Sequence, residues 1–245
     1  MITHVDHLTL SSVAFDTHRA RLGTLGFVER FCSRDVPNPS IKKPLMREYR
    51  SMHSLSLFDA PRCLSIEIID QGTEFNSSPV YPIFSGIFPE YIEREEKVTF
   101  GGKSYRQMWL RDIASPVLAC TGDVFTLHSC IMCVPDVPLQ TRLMQQLGFT
   151  THQEAESVTC ELRSPLNSRL TELILVPGEV SPIDDSGFSY LALVSASLHN
   201  DRESLMRAGF MVTEVEGITV QDRELELFFI TGPNILPIEI VGVKK

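Results

Sequence analysis

The chain has 245 residues, a formal net charge of −9 and a hydrophobic content of 43%. This apolar share is typical of a globular protein and excludes a chain that stays disordered. The acidic balance argues against a nucleic-acid-binding surface, because such a surface concentrates Lys and Arg against phosphates. Small molecules are therefore the expected partners, and no nucleic acid is expected.

The sequence predicts a cytoplasmic protein without a membrane partner. No segment approaches the ~18 consecutive apolar residues of a membrane span. The first residues, MITHVDHLTL, lack the basic and apolar segments of a secretory signal. Six cysteines in a chain of this length are typical of free thiols in a reducing compartment. Cys130 and Cys133 have a zinc-like spacing, but on a strand they point to opposite faces, which favours core thiols.

In chain order, the first recognisable unit spans residues 3–71. A strand beginning at His7 precedes a predicted helix over 15–25, which ends at Leu25-Gly26-Phe27. Glycine after the last apolar position is typical of a helix C-terminus, because glycine adopts the left-handed conformation without steric cost. Asp16 is the candidate N-cap. The unit closes with the apolar strand LSIEIID, which carries Glu67.

Residues 72–122 are less regular. They contain a Pro- and Phe-rich stretch, a charged run at 93–97, a Gly-Gly turn at 101–102 and a strand-like segment around Trp109. The segment is either an elaborated linker or a fourth unit that has lost its helix. Its length permits the second interpretation, which we favour slightly.

Two further copies of the unit follow at 124–177 and 187–244. Their first strands begin at His128 and Tyr190, and their helices are predicted over 137–147 and 199–208, with Asn200 as an N-cap candidate. In the three copies the helix-ending glycine lies 19, 20 and 19 residues after the first residue of the strand. Their last strands carry Glu172 and Glu239. Agreement this close indicates an internal repeat.

The repeat resembles the vicinal oxygen chelate superfamily, which includes glyoxalase I, extradiol dioxygenases, and fosfomycin- and bleomycin-resistance proteins. The similarity rests on the leading His, the Leu-Gly-Phe helix end, the Glu of the last strand, and the terminal Gly232-Pro233-Asn234 followed by Pro-Ile-Glu-Ile. The resemblance implies an α+β fold of repeated βαβββ modules, paired into curled, half-open β-barrels with the helices outside. It also makes a homodimer possible.

Connection lengths predict which modules pair. Only 18 residues separate Glu172 from Tyr190, whereas 61 separate Glu67 from His128. This spacing favours pairing of consecutive modules. The expected halves are 1–122, with module 3–71 and the degenerate module 72–122, and 123–245, with modules 124–177 and 187–244.

The resemblance also implies a metal site in the cup of a curled sheet. Imidazole and carboxylate groups on one strand face suit a divalent ion such as Fe, Mn, Ni or Zn. The implied ligand candidates are His7, Glu67, His128, Glu172 and Glu239. One combination is an iron-type set of His128, Tyr190 and Glu239, in which a neutral phenol is a poor ligand. The other is a glyoxalase-like quartet of His7, Glu67, His128 and Glu172.

Two functions stay open at this point. The first is a divalent-metal-dependent dioxygenase, lyase or isomerase acting on a small oxygenated or aromatic substrate, with Tyr190 and Glu239 as catalytic groups. The second is a metal-free protein that binds or sequesters a small molecule. Aromatic residues would then clasp the ligand, with Phe84, Phe88, Tyr91, Tyr105 and Trp109 as candidates. The chain has no phosphate-cradling glycine loop, so no nucleotide cofactor is expected.

Overall fold

A computed structural model describes residues 1–61, 63–86, 91–113, 115–120 and 125–244. Within these residues the chain forms 17 strands and three α-helices, arranged in two mixed sheets. No helix in these ranges is long and apolar enough to cross a membrane. The predicted candidate Phe88 lies outside the described residues.

The first module forms one edge of the first sheet. Its elements are β1 (Ile2–Ser11), α1 (Phe15–Thr24), β2 (Val28–Pro37), a 3₁₀ helix (Ser40–Leu45), β3 (Met52–Asp59) and β4 (Ser65–Ile69). The strands lie in the spatial order β1-β4-β3-β2, with β1 and β4 parallel. A parallel pair requires a crossover, which here contains α1 and the hairpin.

The irregular segment is a module that lacks the helix. Its strands are β5 (Val80–Ser85), β6 (Ile92–Phe100), β7 (Lys103–Leu110) and β8 (Pro116–Ala119). They lie in the order β5-β8-β7-β6, with β5 and β8 parallel as in the first module. Only residues 86–91 connect β5 to β6, too few for a helix of the ten residues seen in α1. This strand order is the one that the fourth-unit interpretation predicts.

The last two modules keep the full pattern. The third consists of β9 (Thr126–Val134), α2 (Val137–Gln146), β10 (Thr150–Gln153), β11 (Val158–Arg163) and β12 (Leu170–Pro177). The fourth consists of β13 (Gly187–Ser195), α3 (Leu198–Arg207), β14 (Met211–Val212), β15 (Glu216–Val220), β16 (Arg223–Thr231) and β17 (Ile238–Val243).

The N-cap residues of two helices differ from the prediction. α1 begins at Phe15 and α3 at Leu198, so Asp16 and Asn200 lie in the first turn and the cap positions are Ala14 and Ser197. α2 has a side-chain cap, because the Asp136 carboxylate accepts from the Leu139 N–H at 2.8 Å. The carboxylate of Asp16 still favours its helix, since it lies at the positive end of the helix dipole.

The modules pair in a nested order that differs from the expected consecutive pairing. β1 of the first module lies antiparallel to β13 of the fourth, with His7 opposite Ala192. β5 of the second module lies antiparallel to β9 of the third. The first sheet therefore contains the outer two modules and the second sheet the inner two. The expectation that residues 1–122 and 123–245 each form one paired half is not what these registers show.

The two segments that cross between the sheets explain this order. Residues 70–79 and 178–187 run side by side, joined by backbone hydrogen bonds from Thr73 to Asp184 (2.8 Å), Ser77 to Ser186 (3.0 Å) and Ser186 to Phe75 (2.7 Å). The carboxylate of buried Asp184 also accepts from the N–H groups of Arg47 and Glu48, both at 2.7 Å. The chain thus leaves the first sheet and returns to it through two hydrogen-bonded segments that lie side by side. The lengths of these connections do not predict that the two segments meet.

Both sheets share one apolar core on the faces that carry the helices. Leu8, Leu10 and Leu22 belong to it from the first module. Phe27 packs edge-on against Phe84 of the second sheet, with ring centroids 6.4 Å apart. The opposite face of each sheet is left for a cup. The predicted α+β architecture of paired modules, curled but not closed, with helices outside the cups, is confirmed.

Candidate functional site in the cup of the first sheet

The first sheet encloses a cavity of about 690 Å³ on the face opposite its helices. Strand register decides which side chains line it. Thr9 lies beside Glu67 and opposite Tyr190, whereas Ala192 lies beside Glu239 and opposite His7. In-register neighbours share a face. His7, Glu67, Tyr190 and Glu239 therefore lie on one face, at positions related by the approximate two-fold symmetry of the two modules.

His7 forms the centre of a charged cluster. Its Nε2 lies 3.3 Å from Glu67 Oε2, and its Nδ1 lies 2.8 Å from Asp6 Oδ2. Asp6 sits where the register between β1 and β13 shifts, a bulge that places it beside its neighbour. Burial disfavours the imidazolium, but the carboxylates of Glu67 and Asp6 outweigh it and raise the pKa of His7 well above its ordinary value. His7 is therefore a protonated partner of Glu67 at neutral pH.

Lys42 brings a second cation into the cup. It lies on the 3₁₀ helix and is 3% exposed. Its Nζ donates to Tyr190 Oη at 3.1 Å and lies 5.7 Å from the ring centroids of both Tyr190 and Phe229. The Glu216 carboxylate of β15 fixes the start of this helix by accepting from Ser40 and Ile41. The long side chain is thus aimed at the cup by contacts at the helix N-terminus.

Glu239 and Tyr190 form the other side of the cup. Glu239 is 6% exposed, and within the described residues its Oε2 has no hydrogen-bond partner. Burial raises the pKa of Glu239, and the positive charge of Lys42 offsets this in part. Burial, with the nearby charge of Glu239, also raises the pKa of Tyr190 well above its ordinary value, so the phenol keeps its proton.

His53 completes the polar lining. It is 5% exposed and its Nδ1 has no partner among the residues described. Burial and the charge of Lys42 lower the pKa of His53 to about 4. His7 and His53 therefore differ in charge at neutral pH, because only His7 contacts a carboxylate directly.

The cup does not fit a divalent metal well. Two positions carry His7 and Glu67, but their side chains pair with each other, and a third carries the neutral phenol of Tyr190. Within the described ranges, no group of three or more His, Cys, Asp or Glu side chains is arranged to hold a metal ion. The buried ammonium of Lys42 supplies a positive charge in the same space, and two cations this close would repel each other.

The structure does not bring the third-module candidates His128 and Glu172 into this cup. His128 is exposed on β9, where the register with β5 skips it, and Glu172 is half-buried opposite Glu161 on β11. Both belong to the second sheet, so the set His128/Tyr190/Glu239 and the quartet His7/Glu67/His128/Glu172 are each divided between sheets. The cup face of the second sheet is filled by apolar side chains, chiefly Ile83, Leu118, Ile131, Ile174 and Val176.

The aromatic candidates also lie elsewhere. Phe84 stacks on Phe125 in the shared core, Tyr105 packs beside Phe100 in the second sheet, and Trp109 lies under the guanidinium of Arg94. Tyr91 is half-buried against the core. The thiols of Cys130 and Cys133 belong to opposite faces of β9, as predicted, and burial raises their pKa values to about 12 and about 11.

Sequence reasoning missed Lys42, His53 and Asp6. The alternation of His53 with Leu55 and Leu57 is a signal that could have placed His53 on the cup face. Lys42 offers no such signal, because a lysine in the segment SIKKPL is ordinarily solvated.

The comparisons with known proteins agree with this fold. A protein from Bacillus subtilis described as a "putative dioxygenase" superposes with a TM-score of 0.60 at 12% identity, over 100% of this chain and 86% of that one. Glyoxalase I from Zea mays, in a mutant form, superposes with a TM-score of 0.56 at 11% identity, over 98% of this chain and 92% of that one. No family model and no curated protein matches the sequence. The chain therefore has the same fold as these two proteins.

Proposed function

We propose that this chain is a vicinal-oxygen-chelate-type protein that binds a small oxygenated molecule in the cup of the first sheet without a divalent metal. The observation that carries the proposal is the position of Lys42. Its buried ammonium donates to Tyr190, and its positive charge opposes the effect of burial on the pKa of both Glu67 and Glu239. It is thus the group that attracts a carbonyl, hydroxyl or carboxylate oxygen in this cup.

Lys42 has further N–H groups that a ligand could use. An ammonium has three N–H bonds, and within the described residues only Tyr190 accepts from Lys42. The remaining N–H groups are available to a ligand or to water. Tyr190 itself is fully buried, and its hydroxyl has side-chain hydrogen bonds with Thr9 and Glu239. A ligand oxygen held by the remaining N–H groups of Lys42 would be recognised by charge and by direction.

Proton-transfer catalysis is a second candidate function, favoured by Glu239. Glu239 lines the cavity together with Lys42, and within the described residues its Oε2 has no hydrogen-bond partner. A carboxylate there would take a proton from a carbon next to a carbonyl and return it to a neighbouring atom, while Lys42 holds the oxygen that becomes negative. This corresponds to a lyase or isomerase that proceeds through an enolate.

The first experiment is elemental analysis of the full-length protein, purified without chelator or affinity tag, together with melting temperatures after addition of Fe(II), Mn, Ni or Zn. We expect far less than one metal per chain and no rise in melting temperature. A near-stoichiometric metal that is lost in both His7→Gln and Glu239→Gln would overturn the proposal. That result would favour the metalloenzyme hypothesis, with His7, Glu67 and Glu239 as ligands.

A further inference from the structure

The charges that line the cup are not balanced. His7 is paired with Glu67 and Asp6, and Arg30 with Asp59. Arg169, Arg223 and Lys42 also line the cavity. Within the described part of the chain, none of these three forms an ion pair with a carboxylate. Counted with protonated His7, the lining holds five cations and four carboxylates, the fourth being Glu239. It is therefore left with one positive charge although the whole chain carries −9.

Arg169 is the most informative of the three. It belongs to the loop between β11 and β12 of the second sheet, which reaches the cup of the first. Its backbone is held on both sides: its N–H donates to Asn167 Oδ1 at 3.0 Å, and its carbonyl accepts from the Ser164 N–H at 2.8 Å. The backbone that carries the guanidinium is thus held in place by hydrogen bonds within the loop.

Among the residues that the structure describes, no carboxylate forms an ion pair with the guanidinium of Arg169. Its Nη2 is buried and, within the described residues, has no hydrogen-bond partner. Asp59 is the nearby acid, but its two oxygens already accept from Ser65 and Arg30. Burial without a full counter-charge lowers the pKa of Arg169. A half-buried cation with one buried, unpartnered nitrogen is costly unless a bound group supplies the missing anion.

We infer that the ligand of the cup is a small organic anion. Its carboxylate or phosphate pairs with Arg169, with Arg223 adding charge at the rim, while a second oxygen reaches Lys42. The guanidinium fork recognises both kinds of anion through parallel N–H donors. This inference rests on the proposed function and adds the substrate class to it.

Isothermal titration of the full-length protein with matched probes tests the inference. Benzoate is compared with neutral benzamide, and phenyl phosphate with phenol, so that each pair differs mainly in charge. We expect the anion of at least one pair to bind more tightly than its neutral counterpart, and its affinity to fall as salt is added. The pair with the larger difference identifies carboxylate or phosphate as the preferred group.

Variants of Arg169 then test whether this residue is responsible for the preference for anions. Arg169→Met should weaken anion binding about 10- to 100-fold, as for the loss of a charge-assisted hydrogen bond, and leave neutral probes unchanged. Arg169→Lys should restore part of the affinity because it keeps the charge. Arg111→Met, at an exposed arginine outside the cavity, is the matched control and should bind as the wild type does.

The outcomes separate this inference from the proposed function. Equal binding of charged and neutral probes, unchanged in Arg169→Met, overturns the anion inference and leaves the metal-free cup standing. Loss of both charged and neutral probes in Lys42→Met, with loss of only the anions in Arg169→Met, supports both. If none of the four probes binds the wild type, both the anion inference and the proposed ligand-binding function of the cup are overturned.

Discussion

At the scale of single residues, Glu239 lies in an environment that opposes its charge. The carboxylate is 6% exposed, and the main favourable charge near it is the ammonium of Lys42. Because burial raises the pKa of Glu239, the folded state holds this proton more tightly than the unfolded chain does. The stability that the protonated group contributes is complete below its unfolded pKa and is lost as the pH rises through the folded value.

Glu239→Gln should therefore be more stable than the wild type at pH 8 and about equal to it at pH 4. The gain at pH 8 should be about 1–3 kcal/mol, the ordinary cost of a buried polar group without its partner. Chemical denaturation at both pH values measures it. The control is Glu203→Gln on the exposed side of α3, which should show no such pH dependence. A destabilised Glu239→Gln at pH 8 would mean that the carboxylate is held by a cation instead.

The sequence predicted which residues face the cup only where it also predicted how the strands align. His7 and Tyr190 occupy equivalent positions in two copies of the repeat, and so do Glu67 and Glu239, which is why the repeat places all four on one face. His128 was assigned by the same spacing and misplaced: Ser129 lies beside Glu172 as Thr9 lies beside Glu67, so the equivalent of His7 is Leu127. A shift of one residue changes the face of a strand to which a side chain belongs.

At the scale of elements, the helix ends are the best-predicted feature. Gly26, Gly148 and Gly209 have φ values of +90°, +94° and +87°, and each follows a helix as the Gly-Phe pair shared by the three copies predicts. A Cβ atom at any of these three positions would have open space for 4 Å around it. The need for glycine is therefore conformational rather than steric.

Two substitutions near the end of one helix isolate this effect. Gly26→Ala should destabilise the protein by about 1–2 kcal/mol, the cost of a left-handed conformation for a residue with a Cβ. Gly23→Ala, inside α1 and equally unobstructed, should stabilise it by about 0.5–1 kcal/mol, because alanine favours the helix. Denaturant titrations measure both. Equal effects of the same sign would mean that packing, not φ, selects glycine at position 26.

At the scale of the whole molecule, the nested pairing determines which fragments are complete. The pairs β1–β13 and β5–β9 both join residues before 122 to residues after it. Fragments 1–122 and 123–245 thus each hold two half-sheets with unpaired inner strands, whereas residues 72–186 contain the entire second sheet. The sequence did not reveal this, because every module presents the same kind of first strand for pairing.

Fragment 72–186 should show a cooperative thermal transition by circular dichroism, with weaker stability than the full chain because part of the shared core becomes exposed. Fragments 1–122 and 123–245 should each lack such a transition and should aggregate through their open strand edges. Size-exclusion chromatography and melting curves compare the three. A cooperative transition in the isolated fragment 1–122 would contradict the nested arrangement.

The nested order also sets when the cup can exist during synthesis. His7 and Glu239 meet only after β17 has left the ribosome, whereas the second sheet is complete once residue 177 has emerged. Pairing of β1 with β13 closes a loop of nearly the whole intervening chain, and such long-range contacts form slowly. In the first module, β1 therefore stays without its partner β13 while the second sheet folds. A nascent chain arrested before β13 would be the form most exposed to aggregation and to chaperones.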